Sequence, residues 1–135
     1  MKQLRDNQKC YVCGMENPAG LCVKFEISAE SRAIRGKFIP KEIHQGYEGI
    51  IHGGILSALL DEAMAKLAFS LGIPAVTAEI SVKFASPASP GDELSISGKL
   101  VHETRRLIQA EAKIERGQIL IAKATGKLLR VTFTD

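Results

Sequence analysis

The sequence predicts an α+β fold in which an antiparallel sheet of about six strands wraps around one long central helix. A single segment, from about residue 53 to residue 71, carries apolar residues at helical spacing. Beyond residue 20, the rest of the chain alternates apolar and polar residues in short runs separated by turn signals, which is typical of hairpins. Because so apolar a helix has to be covered, the strands are expected to curl around it.

The first two strands follow a leader, residues 1–20, that carries no periodic pattern and ends in the turn signal Asn17-Pro18-Ala19-Gly20. Apolar residues then alternate with charged ones in two short runs, which predicts a hairpin. One run has Val23, Phe25 and Ile27 on one face, and the other has Ile34, Gly36 and Phe38.

A loop over residues 40–52 is expected next, and the helix follows it. Gly72-Ile73-Pro74 ends the helix, since glycine and proline are strong stop signals. A broad apolar stripe is formed by Leu56, Leu60, Ala63, Met64, Leu67 and Leu71. Asp61 falls at the border of this stripe, whereas Glu62 is expected to point away from it into solvent.

Four further strands are predicted after residue 74. In the first of them, Ala78, Ile80, Val82 and Phe84 share the apolar face. The others run near residues 94–100, near 108–114 and from about Ile119 to Phe133. One unit of this size leaves sheet edges exposed, so edge-to-edge pairing into a homodimer is expected.

Composition limits the class of protein. At 135 residues the chain is expected to be a single domain, spanning residues 1–135. A formal net charge of +3 is too mild to indicate nucleic-acid binding. Since neither a long apolar run nor an apolar signal region is present, we expect a cytoplasmic protein with no membrane partner.

The stretch Ile51-His52-Gly53-Gly54 carries the chemistry of the chain together with Asp61. A helix that begins at the glycines would present free backbone N–H groups, which favour negative charge. A carboxylate further along the same helix could activate water. An oxyanion site and a base together indicate hydrolysis of an acyl group.

Three cysteines invite a metal interpretation, because Cys10 and Cys13 have the spacing of a ligand pair. Cys22 has no adjacent partner, so the second pair is incomplete and a distant histidine would have to complete the set. Reduced, packed cysteines are therefore favoured over zinc, and no metal or cofactor is expected. A serine nucleophile is also unsupported, since Ser57 lacks the Gly-x-Ser-x-Gly motif.

The segment from His44 to Gly54, followed by Asp61 and then by Thr77 to Phe84, resembles the hotdog-fold thioesterase superfamily. The likeness is greatest to PaaI-like and THEM-type acyl-CoA thioesterases, and the leader from Cys10 to Leu21 is also similar to that of many members.

The resemblance implies hydrolysis of an acyl-CoA thioester, with Asp61 as general base or nucleophile. It also implies that the Gly53 N–H polarises the carbonyl oxygen, that His52 shapes the turn, and that Thr77 orients water. The family's active sites lie between subunits of a homodimer, or of a dimer of dimers. Substrate contacts are expected from Gly54, Met64, Ala65, Phe84 and Ser86.

Two positions depart from the family pattern. Gly46 stands where some members have an asparagine that orients water, and Ser86 stands where many have a basic residue. Simple alternation also places Thr77 on the face away from the core, so a bulge or the dimer interface would have to bring it to the site. His44 is a weaker second candidate in the same loop.

Three alternatives stay open at this point. A non-catalytic hotdog domain could sense acyl-CoA without hydrolysing it. A hotdog dehydratase or hydratase would pair a histidine with an acid differently. A small zinc-binding interaction module would rest on Cys10, Cys13 and Cys22 alone.

Overall fold

The fold, seen in a computed structural model that describes residues 3–131, contains one long helix and six strands. In chain order these are β1 (Phe25–Ser28), β2 (Ala33–Phe38), a short 3-10 turn (Glu42–His44), α1 (Gly53–Ser70), β3 (Ala75–Phe84), β4 (Leu94–Glu103), β5 (Leu107–Arg116) and β6 (Ile119–Arg130). The predicted α+β class is confirmed, and so is the number of strands.

All six strands form one antiparallel sheet in the order β1-β2-β4-β5-β6-β3. β1 and β3 therefore lie at its two ends. β1 has only 4 residues, whereas β3 has 10, so β3 presents the longer edge to its surroundings. Unpaired backbone groups along such an edge favour addition of another strand.

The central helix packs against the sheet through the predicted stripe. Its buried residues are Leu56, Leu59, Leu60, Ala63, Met64, Leu67 and Ala68. Close approach depends on Gly126 in β6, because a Cβ placed there would lie 2.8 Å from the Met64 Sδ atom. The helix ends as predicted, with Gly72 in the left-handed region at φ +78°.

Three expectations about local structure need correction. Residues 42–44 form a 3-10 turn inside the predicted loop. Ala78 is exposed rather than buried, because a bulge between Thr77 and Glu79 shifts the alternation of β3. Phe84 is also 55% exposed. The last strand ends at Arg130, and Phe133 lies outside the described residues.

The leader has no regular element, as predicted, yet it packs on the core. Val12 and Val23 are buried, and the Val23 N–H donates to the Val12 carbonyl at 2.9 Å. An ion pair at 3.4 Å joins Asp6 to Lys66 of α1. The leader therefore covers part of the helix surface that faces away from the sheet.

Within residues 3–131, no helix has both the length and the apolar character that crossing a membrane requires.

Candidate active site

The turn before α1 is held by His52, which is the N-cap residue of the helix. The Gly54 N–H donates to His52 Nδ1 at 2.8 Å. An Nδ1 atom that accepts a hydrogen bond carries no proton, so in the neutral ring the proton is on Nε2. His52 thus has the geometry of a turn-shaping residue, with an N–H donor at its other nitrogen.

The Gly53 N–H is the first donor of the helix. Among residues 3–131, no acceptor lies within hydrogen-bonding range of it. The positive end of the helix dipole adds to its attraction for negative charge. Next to it stands the Phe84 ring, whose Cζ atom would lie 3.3 Å from a Cβ built on Gly53. The donor is therefore bordered by an exposed aromatic side chain.

Asp61 lies on α1 and is half-buried. The Thr77 hydroxyl donates a hydrogen bond to the Asp61 Oδ1 atom at 2.7 Å. Hydrogen bonds to ionised groups are short and stronger than neutral ones. This bond fixes the orientation of the carboxylate relative to β3.

A β-bulge brings Thr77 to this position. Thr77 pairs with Leu128 of β6, and Glu79 pairs with Lys127, so Ala78 is the extra residue between them. An extra residue reverses the direction of the side chains that precede it relative to those that follow. Of the two expected ways of bringing Thr77 to the site, a bulge or the dimer interface, the bulge is present, and Thr77 faces the helix.

Asp61 and Gly53 do not meet within one chain. Asp61 is eight positions after Gly53 on the same helix, which corresponds to about 12 Å along the axis at roughly 1.5 Å per residue. A single thioester carbonyl cannot contact both groups at that separation. The predicted base and the predicted oxyanion donor are therefore both present in one subunit, but they are too far apart to act on the same carbonyl.

Comparison with known families matches residues 48–123 to the thioesterase superfamily. The chain belongs to that superfamily. The matched region contains the His-Gly-Gly turn, the whole of α1 with Asp61, and β3 with Thr77. The residues singled out above are thus within the part that defines the superfamily.

Individual relatives agree with the assignment. Acyl-coenzyme A thioesterase 13 of Mus musculus is 29% identical over 91 residues, which are 66% of this chain and 61% of that protein. The match therefore spans about three fifths of the relative's length.

Solved structures share the hotdog fold with this chain. The E. coli PaaI protein from the phenylacetic acid degradation operon has a TM-score of 0.77 at 24% identity, covering 84% of this chain and 83% of its own. A hypothetical thioesterase from Streptococcus pneumoniae TIGR4, solved with coenzyme A, has a TM-score of 0.74 at 24% identity. That likeness covers 83% of this chain and 89% of that chain.

The expected substrate contacts of this superfamily member divide into two groups. Phe84 and Gly54 are exposed beside the turn, and Ala65 and Ser86 are partly exposed. Met64, in contrast, is fully buried and packs in the core against β6. In the single subunit Met64 does not reach a surface that a substrate could touch, because its position on α1 faces the sheet.

A depression of about 740 Å³ in the described surface contains none of the predicted site residues. It lies on the outer face of the sheet, between lysine side chains such as Lys83, Lys99 and Lys113. These lysines occupy the polar positions of strands in which polar and apolar residues alternate, and such positions face away from the helix. The hydrogen bond between Thr77 and Asp61 lies elsewhere, near the start of β3.

His44 is buried and serves the loop before the helix. Its Nδ1 atom accepts a hydrogen bond from the Lys41 N–H at 2.9 Å, and its carbonyl accepts from the His52 N–H at 2.9 Å. Burial, together with the charge of Lys41, lowers the pKa of His44. His44 thus holds the loop before the helix together through its ring and its carbonyl.

The expectation for Glu62 was wrong. Its carboxylate is partly buried and accepts hydrogen bonds from the thiols of Cys10, at 2.9 Å, and Cys13, at 3.7 Å. Burial raises the pKa of Glu62. A helical-wheel argument treats the side opposite the core as solvent, whereas here the leader covers it. The pair of cysteines in that leader, Cys10 and Cys13, was the sequence feature that could have indicated a buried contact for Glu62.

Proposed function

We propose that this protein is an acyl-CoA thioesterase that hydrolyses an acyl-CoA to a carboxylic acid and free CoA. The observation that carries the proposal is the hydrogen bond from Thr77 to Asp61, at the end of the sheet where a long strand edge is open. The names of the Mus musculus relative and of the CoA-bound Streptococcus pneumoniae structure support the substrate class.

The proposed active site forms between two subunits that pair through the β3 edge. Asp61 and Thr77 of one subunit would face the Gly53 turn of the other. The length of the β3 edge supports this pairing, and so does the separation of about 12 Å between Asp61 and Gly53 along one helix. A carbonyl placed between the subunits would contact both groups.

In the proposed reaction the thioester oxygen accepts a hydrogen bond from the Gly53 N–H. Negative charge grows on that oxygen as the carbonyl carbon is attacked, so a fixed donor there lowers the barrier. Asp61, held by Thr77, takes a proton from the attacking water, or attacks the carbonyl itself to give an anhydride. In the first route the C–S bond then breaks, and the proton that Asp61 took passes to the CoA sulfur. In the second route the C–S bond breaks as the anhydride forms, the CoA thiolate takes up a proton from water, and a water molecule hydrolyses the anhydride to release the acid and restore Asp61.

The acyl group would lie between the subunits, beside the exposed ring of Phe84. Gly54, Ala65 and Ser86 would contribute to the same surface. Met64 is left out of this proposal because it is buried in the core.

A panel of acyl-CoAs, followed by release of free thiol, tests the function. We expect turnover of at least one member by the wild-type protein. If acyl-CoAs bind without any turnover, the protein is a sensor of acyl-CoA rather than an enzyme.

Removing the Thr77 hydroxyl tests its part in the reaction. Thr77→Val keeps the shape of the side chain but deletes the donor to Asp61. A hydrogen bond to a charged group contributes about 1.5–3 kcal/mol, so we expect kcat to fall by roughly tenfold to a hundredfold with little change in KM. Thr77→Ser is the matched control and should keep most of the activity. Equal activity in the two variants would show that the hydroxyl is not used.

A further inference from the structure

The leader and the outer side of α1 bring three metal-binding side chains together, away from the Thr77 hydroxyl. One ligand atom each from Cys10, Cys13 and Glu62 lies within 4.8 Å of the other two. We propose that these residues bind a zinc ion, which fastens the leader to the helix. This inference is independent of the proposed thioesterase activity.

The leader is shaped as a tight metal-binding turn. The Gly14 N–H donates to the Cys10 carbonyl at 2.9 Å, and the Cys13 N–H donates to the Cys10 sulfur at 3.5 Å. Any Cβ on Gly14 would lie 2.4 Å from the Cys10 nitrogen, so the turn requires glycine at that position. Backbone donors to a sulfur stabilise its thiolate and orient it toward a metal.

The distances between the donor atoms suit zinc. Given Zn–S bonds of about 2.3 Å and Zn–O bonds of about 2.1 Å, tetrahedral ligand atoms are about 3.6–3.8 Å apart. The Cys13 sulfur lies 3.7 Å from Glu62 Oε1, and the Cys10 sulfur lies 2.9 Å from Glu62 Oε2. The Cys13 distance already matches the tetrahedral spacing, whereas the Cys10 distance is shorter and would have to lengthen when zinc binds.

Charge also favours a divalent cation here. A partly buried carboxylate needs strong partners, and thiols are weak hydrogen-bond donors. Two thiolates and a carboxylate would carry three negative charges, two of which a divalent ion would balance. Lys66, which pairs with Asp6, lies close enough for its charge to act on Glu62 and Cys13.

The donor set of two thiolates and one carboxylate selects zinc over magnesium or calcium, which prefer oxygen ligands alone.

Within residues 3–131 the cluster has these three members, so the fourth position of the tetrahedron falls to a water molecule. Cys22 does not belong to it. Its exposed sulfur lies near the carbonyls of Gly14, at 3.6 Å, and Asn17, at 3.8 Å. Cys22 is therefore an internal control for every experiment on the cluster.

The test is a titration of reduced, chelator-treated full-length protein with Zn²⁺, and with Co²⁺ as a coloured substitute. We expect one ion per chain and a thiolate-to-cobalt absorption band. Loss of a residue that merely orients a ligand already costs about 10–100-fold in metal affinity. Glu62→Gln should weaken binding at least as much, and Cys13→Ser should remove the band, whereas Cys22→Ser should leave both unchanged.

Alkylation is measured on the wild-type protein alone, so its outcome does not depend on whether a variant folds. Zn²⁺ should protect Cys10 and Cys13 from iodoacetamide and leave Cys22 reactive. The proposal is overturned if zinc protects none of the three cysteines. It is also overturned if Glu62→Gln binds as tightly as the wild type, or if Cys10 and Cys13 form a disulfide whose reduction gives no metal binding.

Discussion

Asp61→Asn is expected to lower kcat for acyl-CoA hydrolysis by about 10²–10⁴-fold, which is the usual contribution of a general base. Asparagine has nearly the same shape and can still accept the hydrogen bond from Thr77, which is 2.7 Å long in the wild type. It cannot take a proton from water, and it is a poor nucleophile. The fold and the oligomeric state should therefore be kept while the chemistry is lost.

A second carboxylate provides the control for loss of charge. Glu111 lies on the outer face of the sheet and pairs with Lys99 at 3.3 Å, with both side chains largely exposed. Glu111→Gln should leave turnover unchanged. Full activity in a folded Asp61→Asn protein would exclude Asp61 from the reaction.

Replacement of Gly53 by proline is expected to reduce kcat by about 10²–10³-fold, the cost of losing one oxyanion donor. Gly53 is the first residue of α1, where proline is well tolerated because the N–H makes no bond within the helix. His52 has a ψ of 131°, which suits a residue before proline. The substitution thus removes the N–H and adds ring atoms beginning with a Cβ 3.3 Å from the Phe84 Cζ atom.

Gly53→Ala is the matched control for that variant. It adds a Cβ at the same distance of 3.3 Å from the Phe84 ring but keeps the N–H. The alanine variant should stay close to wild-type activity, with a small change in KM. If the two variants lose activity equally, the effect comes from the contact with Phe84 and not from the missing donor.

The two inactive variants together test whether the site is shared between subunits. Co-expression of Asp61→Asn and Gly53→Pro chains should give heterodimers in which one site has an intact acid and an intact turn. Activity would then return, although neither variant is active alone. If the mixture is as inactive as each variant alone, a site that combines Asp61 of one subunit with Gly53 of the other is excluded.

Much of the fold could be predicted because periodicity alone distinguishes strands from a helix. The apolar residues of α1 recur at helical spacing, and all of the predicted stripe except Leu71, which is only partly buried, belongs to the buried face of the helix. From the sequence we could predict only that a bulge or the dimer interface has to bring Thr77 to the site. No feature of the local sequence shows where an extra residue is inserted.

The contacts of the site residues were harder to predict than the fold, because the surroundings of a side chain depend on segments that are distant in the sequence. Asp61 and Thr77 meet as required. Glu62 was misjudged because the leader, 49 to 52 residues earlier in the chain, covers it. Met64 was predicted to contact the substrate, but its position around the helix axis directs its side chain toward Gly126. Helical spacing gives the face of a residue but not what covers that face.

The bulge in β3 divides one strand into two segments of opposite phase. Before it, Thr77 points inward and contacts the acid; after it, Ile80 and Val82 point inward and pack on the core. Deleting Ala78 would join the segments into one continuous phase. Either the threonine or the apolar pair would then turn outward, so the strand could not supply both. The single extra residue lets one strand present both the hydroxyl partner of Asp61 and an apolar pair to the same side of the sheet.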